Sequence, residues 1–177
     1  EVLKWLRENG CAWGYETCTA AAKGGHLEVL KWAREKGCPW DTGACAGAAE
    51  GGHLDVLKWL RENGCSWDAK TCQRAAGEGH LEILKWKGNG CQWDGLVCFD
   101  AAAGGHLEVL KWARENWCRW AGGVCFAAAG GRHLDVLKWA YANGCPTNKL
   151  SDSVFITASP EMRLWAHEKG FLSAEWL

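Results

Sequence analysis

The chain has 177 residues, enough for one sizeable core, and twenty Lys and Arg against twenty-one Asp and Glu leave a formal net charge of −1. That balance excludes the basic stripe a nucleic-acid partner needs, and no apolar run approaches the roughly 18 residues of a membrane span, so neither nucleic acid nor membrane insertion is expected. Two counts stand far outside ordinary usage, eleven Cys and fourteen Trp, and the first question is whether each belongs to a repeat.

Both do. The chain opens on Glu1–Trp5, the tail of a motif, H-L-[ED]-[VI]-L-K-W, that starts in full at His26, His53, His80, His106 and His133. The intervals are 27, 27, 26 and 27 residues, and a fixed period of this size is the signature of a solenoid. Residues 1–25 read as an incomplete first repeat, 26–144 as full repeats and 145–177 as a degenerate C-terminal capping repeat, together a single domain over 1–177. A start without Met, inside a pattern completed only later, reads as a fragment.

In chain order, each repeat carries two helices. The second, from His26 to about Lys36 in the first full copy, sets Leu27, Val29, Leu30, Trp32 and Ala33 on an arc of about 220°, wide enough to be covered by neighbours on both sides. Glu28, Lys31, Arg34 and Glu35 fill the remainder and read as a solvated face with weak (i, i+4) pairs. Gly37 then supplies a left-handed cap, as do Gly10, Gly64, Gly90, Gly144 and Gly170. The first helix follows a Trp-Asp step in which Asp41, Asp68 and Asp94 are N-caps. It carries Cys and paired small residues, such as Cys72, Ala75 and Ala76, which let helices approach closely. The expected fold is all-α, an α-solenoid of stacked helix–turn–helix repeats with about 13 helices and no strand.

Further along, the pattern breaks. Lys87-Gly88-Asn89 is one residue shorter than Leu60-Arg61-Glu62-Asn63, so the fourth-repeat helix should end early or bend. Trp117 stands where other repeats have the cap glycine, and a bulky residue in a left-handed cap is costly, so a different turn is expected there. Arg132 also replaces a glycine. Beyond Cys145 the pattern fades, although Ser159-Pro160-Glu161 still marks a helix start.

The run A-A-x-x-G-H-L-E-V-L-K, from Ala21 to Lys31, resembles the ankyrin repeat, and the likeness recurs along the whole chain. Two departures accompany it. The T-P-L-H turn is absent, with Thr71-Cys72 its nearest remnant, and the repeat is about six residues shorter than the usual 33. The missing residues are those of the β-hairpin finger, so this is a short, Trp- and Cys-rich variant. The resemblance implies a binding scaffold whose first helices line the concave side.

Ten of the eleven Cys fall into C-x6-C pairs, Cys11/Cys18, Cys38/Cys45, Cys65/Cys72, Cys91/Cys98 and Cys118/Cys125, with Cys145 left over. Six intervening residues lie outside the usual zinc spacing, and nothing secretory favours disulfides, so the favoured reading is a small apolar core residue beside Ala. Disulfides and metal stay open as alternatives. Trp forms two ladders, one through Trp5, Trp32, Trp59, Trp86, Trp112, Trp139 and Trp165, the other through Trp13, Trp40, Trp67, Trp93 and Trp120. With no Lys or Arg evident on the same face, they read as inter-repeat packing rather than a base- or sugar-stacking strip. The recurrent His of the G-H-L step should satisfy backbone groups at the turn, and no nucleophile–base–orienter set appears.

The chain is therefore expected to be no enzyme, to hold no cofactor and no metal, and to serve as a protein–protein interaction scaffold in an intracellular, reducing compartment, the cytoplasm foremost. A structural linker within a large multiprotein assembly is the alternative, and a Cys-based redox or metal store a third. The partner-binding residues are sought where repeats vary most. Thr19-Ala20, Ala46-Gly47, Gln73-Arg74, Phe99-Asp100 and Phe126-Ala127 share two places on the first helix, and the turn before it varies too. Gln73, Arg74, Phe99, Asp100 and Phe126 are the candidates, because exposed aromatics beside Arg make a usual hot-spot composition. Mere solvent exposure of unconstrained positions is the competing reading.

Overall fold

The computed structural model describes residues 5, 7–86 and 95–177. Among them are twelve α-helices, and none of these residues lies in a strand. In chain order the helices are α1 (Tyr15–Lys23), α2 (Leu27–Glu35), α3 (Thr42–Glu50), α4 (Leu54–Glu62), α5 (Ala69–Gly77) and α6 (Leu81–Lys85). Then come α7 (Gly95–Ala103), α8 (Leu107–Glu115), α9 (Val124–Gly130), α10 (Leu134–Ala142), α11 (Asp152–Phe155) and α12 (Pro160–Glu168), with a 3-10 turn at Ala174–Trp176. Trp5, Arg7 and Glu8 are helical as well. Odd-numbered helices are the first of each repeat and even-numbered helices the second. The chain divides into two compact bodies, Glu1–Ala75 and Ala76–Leu177.

In the N-terminal body, first helices pack on first helices, α1 against α3. Cys18, Ala21 and Ala22 meet this contact fully or nearly fully buried, as do Ala44, Cys45, Ala48 and Ala49. The approach is close enough that a Cβ added to Gly47 would stand 2.8 Å from the Thr19 carbonyl oxygen. Larger apolar side chains come from the second helix: Val56, Leu57 and Leu60 of α4 are fully buried. Asp41 Oδ1 accepts from Gly43 N–H at 2.8 Å and Asp68 Oδ1 from Thr71 N–H at 3.3 Å, as N-caps should.

In the C-terminal body, α9 packs on α7 and α10, with α11 against α9 and α12 beyond it. Val97, Cys98, Val124 and Cys125 take the buried places of the first helices, and Val136, Leu137 and Ala140 those of α10. The last repeat adds Phe155, fully buried, and Met162. Ser159 Oγ accepts from Met162 N–H at 3.3 Å and Pro160 sits in the first turn, the start the sequence marks. Tyr141, Trp165 and Phe171 form an aromatic trio with centroids 5.6 to 6.1 Å apart.

Every described cap glycine named from the sequence is left-handed, Gly10, Gly37, Gly64, Gly144 and Gly170 with φ of 75 to 80°. At Gly37 the turn closes through Gly37 N–H to Arg34 O, 2.9 Å, and Cys38 N–H to Ala33 O, 2.9 Å. Trp117 does not change this turn, contrary to expectation. It takes φ 68° and keeps the same pair of bonds, Trp117 N–H to Arg114 O at 3.2 Å and Cys118 N–H to Ala113 O at 2.9 Å. The buried helix on one side and buried Cys118 on the other fix the path, so the residue absorbs the strain while its side chain stays 91% exposed. Arg132, φ 65°, does the same. Trp117→Gly should therefore raise stability by about 1 kcal/mol, the left-handed penalty less the extra entropy of glycine, read as a shift of the urea midpoint at unchanged slope. The fourth-repeat helix ends early as expected: α6 is five residues long and Trp86 is extended, ψ 115°. Lys87-Gly88-Asn89, Gly90, Cys91, Trp93 and Asp94 lie outside the described residues.

Arg34 is not part of a solvated face. Its Nη1 donates to the Cys38 carbonyl oxygen at 2.6 Å and its guanidinium lies 4.0 Å from the centre of the Trp40 ring. Arg61 over Trp67 and Arg114 over Trp120 repeat the arrangement, each also donating to the following Cys carbonyl. The expected absence of basic side chains on the Trp face is thus overturned, because the arginine folds back along its own repeat. The exposed ion pairs run at (i, i+3), Glu28–Lys31, Glu82–Lys85 and Glu108–Lys111, not (i, i+4). The two Trp ladders interlock. Trp13 meets Trp32 edge-on at 5.3 Å, Trp40 meets Trp59 at 5.6 Å and Trp120 meets Trp139 at 6.1 Å. These rings are half-buried, a roof over the turns rather than the centre of the core. The histidines serve the backbone, as read from the sequence: His106 Nε2 donates to Gly77 O at 2.9 Å and His133 Nε2 to Ala103 O at 3.1 Å.

Of the ten Cys among the described residues, nine are free, and eight of those nine are buried, Cys11 being exposed. Cys72 departs from the free-thiol reading: it is disulfide-bonded.

Candidate partner-binding site

In the N-terminal body the varying pairs fall on α1, α3 and α5. Ala20 is exposed, Gln73 half-buried and Arg74 60% exposed at its side chain, whereas Gly47 is buried by the approach of α1 to α3. Two equivalent places in neighbouring repeats thus differ in access, because variation at this place also serves helix packing. The Glu50 carboxylate lies between two cations, 2.7 Å from Lys23 Nζ and 4.0 Å from Arg74 Nε. All three groups remain open to solvent, so the pairs contribute little to stability and leave the charges usable by a partner.

In the C-terminal body Phe99 and Asp100 lie on α7 and Phe126 on α9, the helix packed against it. Phe99 is half-buried beside Gly123, where an added Cβ would stand 3.5 Å from its ring edge, and Lys149 Nζ covers the same turn by donating to Gly122 O at 3.3 Å. Asp100 rests against Gly77. Ala127 is buried, but Phe126 is 42% exposed. It forms one wall of a cleft of about 300 Å³, completed by Ala129, Gly130 and Arg132 and, from the α11 side, by Ser153, Val154, Thr157 and Ala158. An aromatic wall, small apolar residues and one cation at the rim suit insertion of an apolar side chain with an acidic neighbour. The α11 residues escape sequence reasoning because the motif has faded there; Arg132 is visible only as a break in the glycine pattern.

Helix pairs that repeat every 26 or 27 residues and pack first helix on first helix define an α-solenoid, a class of non-closed repeat protein. Residues 47–86 match the family model of ankyrin repeats (many copies), so this stretch of the chain is similar to ankyrin repeats. No curated protein matches it. Ankyrin repeats generally mediate protein–protein interaction and are typically non-catalytic. No helix of the described residues is long and apolar enough to cross a membrane.

Proposed function

We propose that the chain is a non-catalytic scaffold that holds a protein partner on its first helices, with Gln73, Arg74, Phe99, Asp100 and Phe126 in contact. The observation that carries this reading is the half-exposed Phe126 wall of a cleft rimmed by Arg132. A large aromatic left 42% exposed beside a cation, on a helix otherwise built from Val, Cys, Ala and Gly, has a usual hot-spot composition. Nine free thiols favour a reducing, intracellular setting. Residues 145–177 are read as the cap that closes a single repeat domain.

The experiment is capture of partners by the gently isolated chain, followed by titration of the captured protein against a Phe99→Ala, Phe126→Ala, Arg74→Ala triple variant. Binding should weaken by at least about 2 kcal/mol while the thermal transition scarcely moves. Unchanged binding with a collapsed transition would instead assign these side chains to packing. Recovery of the chain only inside a large assembly, with no exchangeable partner, would replace the scaffold by a structural linker.

A further inference from the structure

We infer that the chain carries four sites for reversible disulfide formation between successive repeats, Cys18–Cys38, Cys45–Cys65, Cys98–Cys118 and Cys125–Cys145. The adjacency of C-x6-C in sequence hides this register. In each pair a first-helix cysteine interacts with the turn cysteine that follows the next second helix, about twenty residues on, and in the last pair Cys125 Sγ lies 4.0 Å from the Cys145 carbonyl oxygen. All eight are buried, so the thiols are turned away from solvent. The turn cysteines are aimed by their surroundings: Cys38 Sγ lies 3.6 Å from Gly14 O, and Cys65 Sγ 3.2 Å from Asp41 O. An independent observation points the same way. Cys72 occupies on α5 the repeat place of Cys45 on α3 and Cys98 on α7, and it is already disulfide-bonded.

The pairs are also polarised. The hydrogen bond from Cys45 pulls the Cys65 thiol below its usual range against the opposing effect of burial, and the bond from Cys125 does the same for Cys145. Cys45 and Cys125 are pushed up, first by that hydrogen bond and then by burial. Within each such pair the turn cysteine, attacking as its thiolate, is the readier nucleophile. The oxidant is a small disulfide of the glutathione class. The thiolate attacks one of its sulfurs, the small S–S bond breaks, and one small thiolate leaves with a mixed disulfide formed. The partner thiol then loses its proton and attacks the protein sulfur of that mixed disulfide, expelling the second small thiolate. Two protein thiols are oxidised, one small disulfide is reduced, and the released thiolates take up the two protons. Cys145 is the most exposed of the eight, at 5%, so Cys125–Cys145 closes first.

The test uses the whole chain, reduced and then incubated with oxidised glutathione, blocked with N-ethylmaleimide in denaturant and mapped by peptide mass spectrometry. The four named cross-links should appear, Cys125–Cys145 ahead of the rest. The thermal transition should rise by at least about 5 °C and return on treatment with dithiothreitol, since each link closes a loop of the unfolded chain. Cys125→Ala, a near-isosteric change, should remove that link alone and leave Cys145 as a glutathione adduct. Cys145→Ser tests the same link from its other end. Cross-links within C-x6-C segments, adducts without cross-links, or eight thiols that stay fully alkylatable would each overturn the assignment. None of these readouts depends on the partner-binding reading.

Discussion

Phe155→Ala is expected to lower the unfolding free energy by about 4 kcal/mol. Phe155 is the largest fully buried side chain among the described residues, and it sits at the end of α11, a helix of four residues. So short a helix has no stability of its own; the ring holds it against the C-terminal body. The substitution leaves a cavity that α11 cannot collapse into without moving the Ser153, Val154, Thr157 and Ala158 side of the cleft. Urea unfolding of the variant should show the loss, and partner affinity should fall although Phe155 itself touches no solvent. A loss below about 1 kcal/mol would mean that α11 is held by other contacts and that the cleft has no buried anchor.

Gly51→Ala is expected to cost about 3 kcal/mol, against little or no loss for Gly130→Ala. The contrast is not one of backbone angle, since Gly51 has φ −79°, open to any residue. A Cβ on Gly51 would stand 2.1 Å from the Lys23 carbonyl oxygen and 2.6 Å from the His53 ring. The oxygen belongs to the end of α1, so relief requires α1 and α3 to part along their contact, where Cys18, Ala22, Cys45 and Ala49 are fully buried. A Cβ on Gly130 would meet nothing within 4 Å. Gly104 and Gly131 hold the same place in later repeats and are as restricted, 2.2 Å from Gly77 O and 2.5 Å from Ala103 O, so the restriction recurs with the motif, and Glu78 is the departure from it. Equal midpoints for the two variants in denaturant would show that the helices part at no cost.

Period, helix positions, caps and the role of the histidines were legible because each depends on neighbours within a few residues, or on a spacing that recurs. Asp41, Asp68, Ser159 and the short α6 are of this kind. Contacts between repeats were not legible. Cys45 interacts with Cys65, twenty residues on, because the second helix carries the chain back to the preceding first helix. Arg34 reads as solvated from its helical angle, yet its long side chain folds back over Trp40, six residues on. Trp117 misleads in the opposite sense: local preference argues for a new turn, and the buried residues on either side keep the old one. For the candidate site, Phe126 stood out as a break in an Ala- and Cys-rich place. Its facing wall on α11 carries no motif by which it could be found.

The His133 ring that donates to Ala103 O and the His106 ring that donates to Gly77 O each bridge one repeat to the one before. Each repeat therefore presents to its successor the surface it requires of its predecessor, with donor and acceptor at opposite ends of one module. A duplicated stretch of 27 codons would insert with both junctions already complementary, and a deletion of the same size would rejoin them. Chains of this type can change length by whole modules without passing through an ill-fitting intermediate.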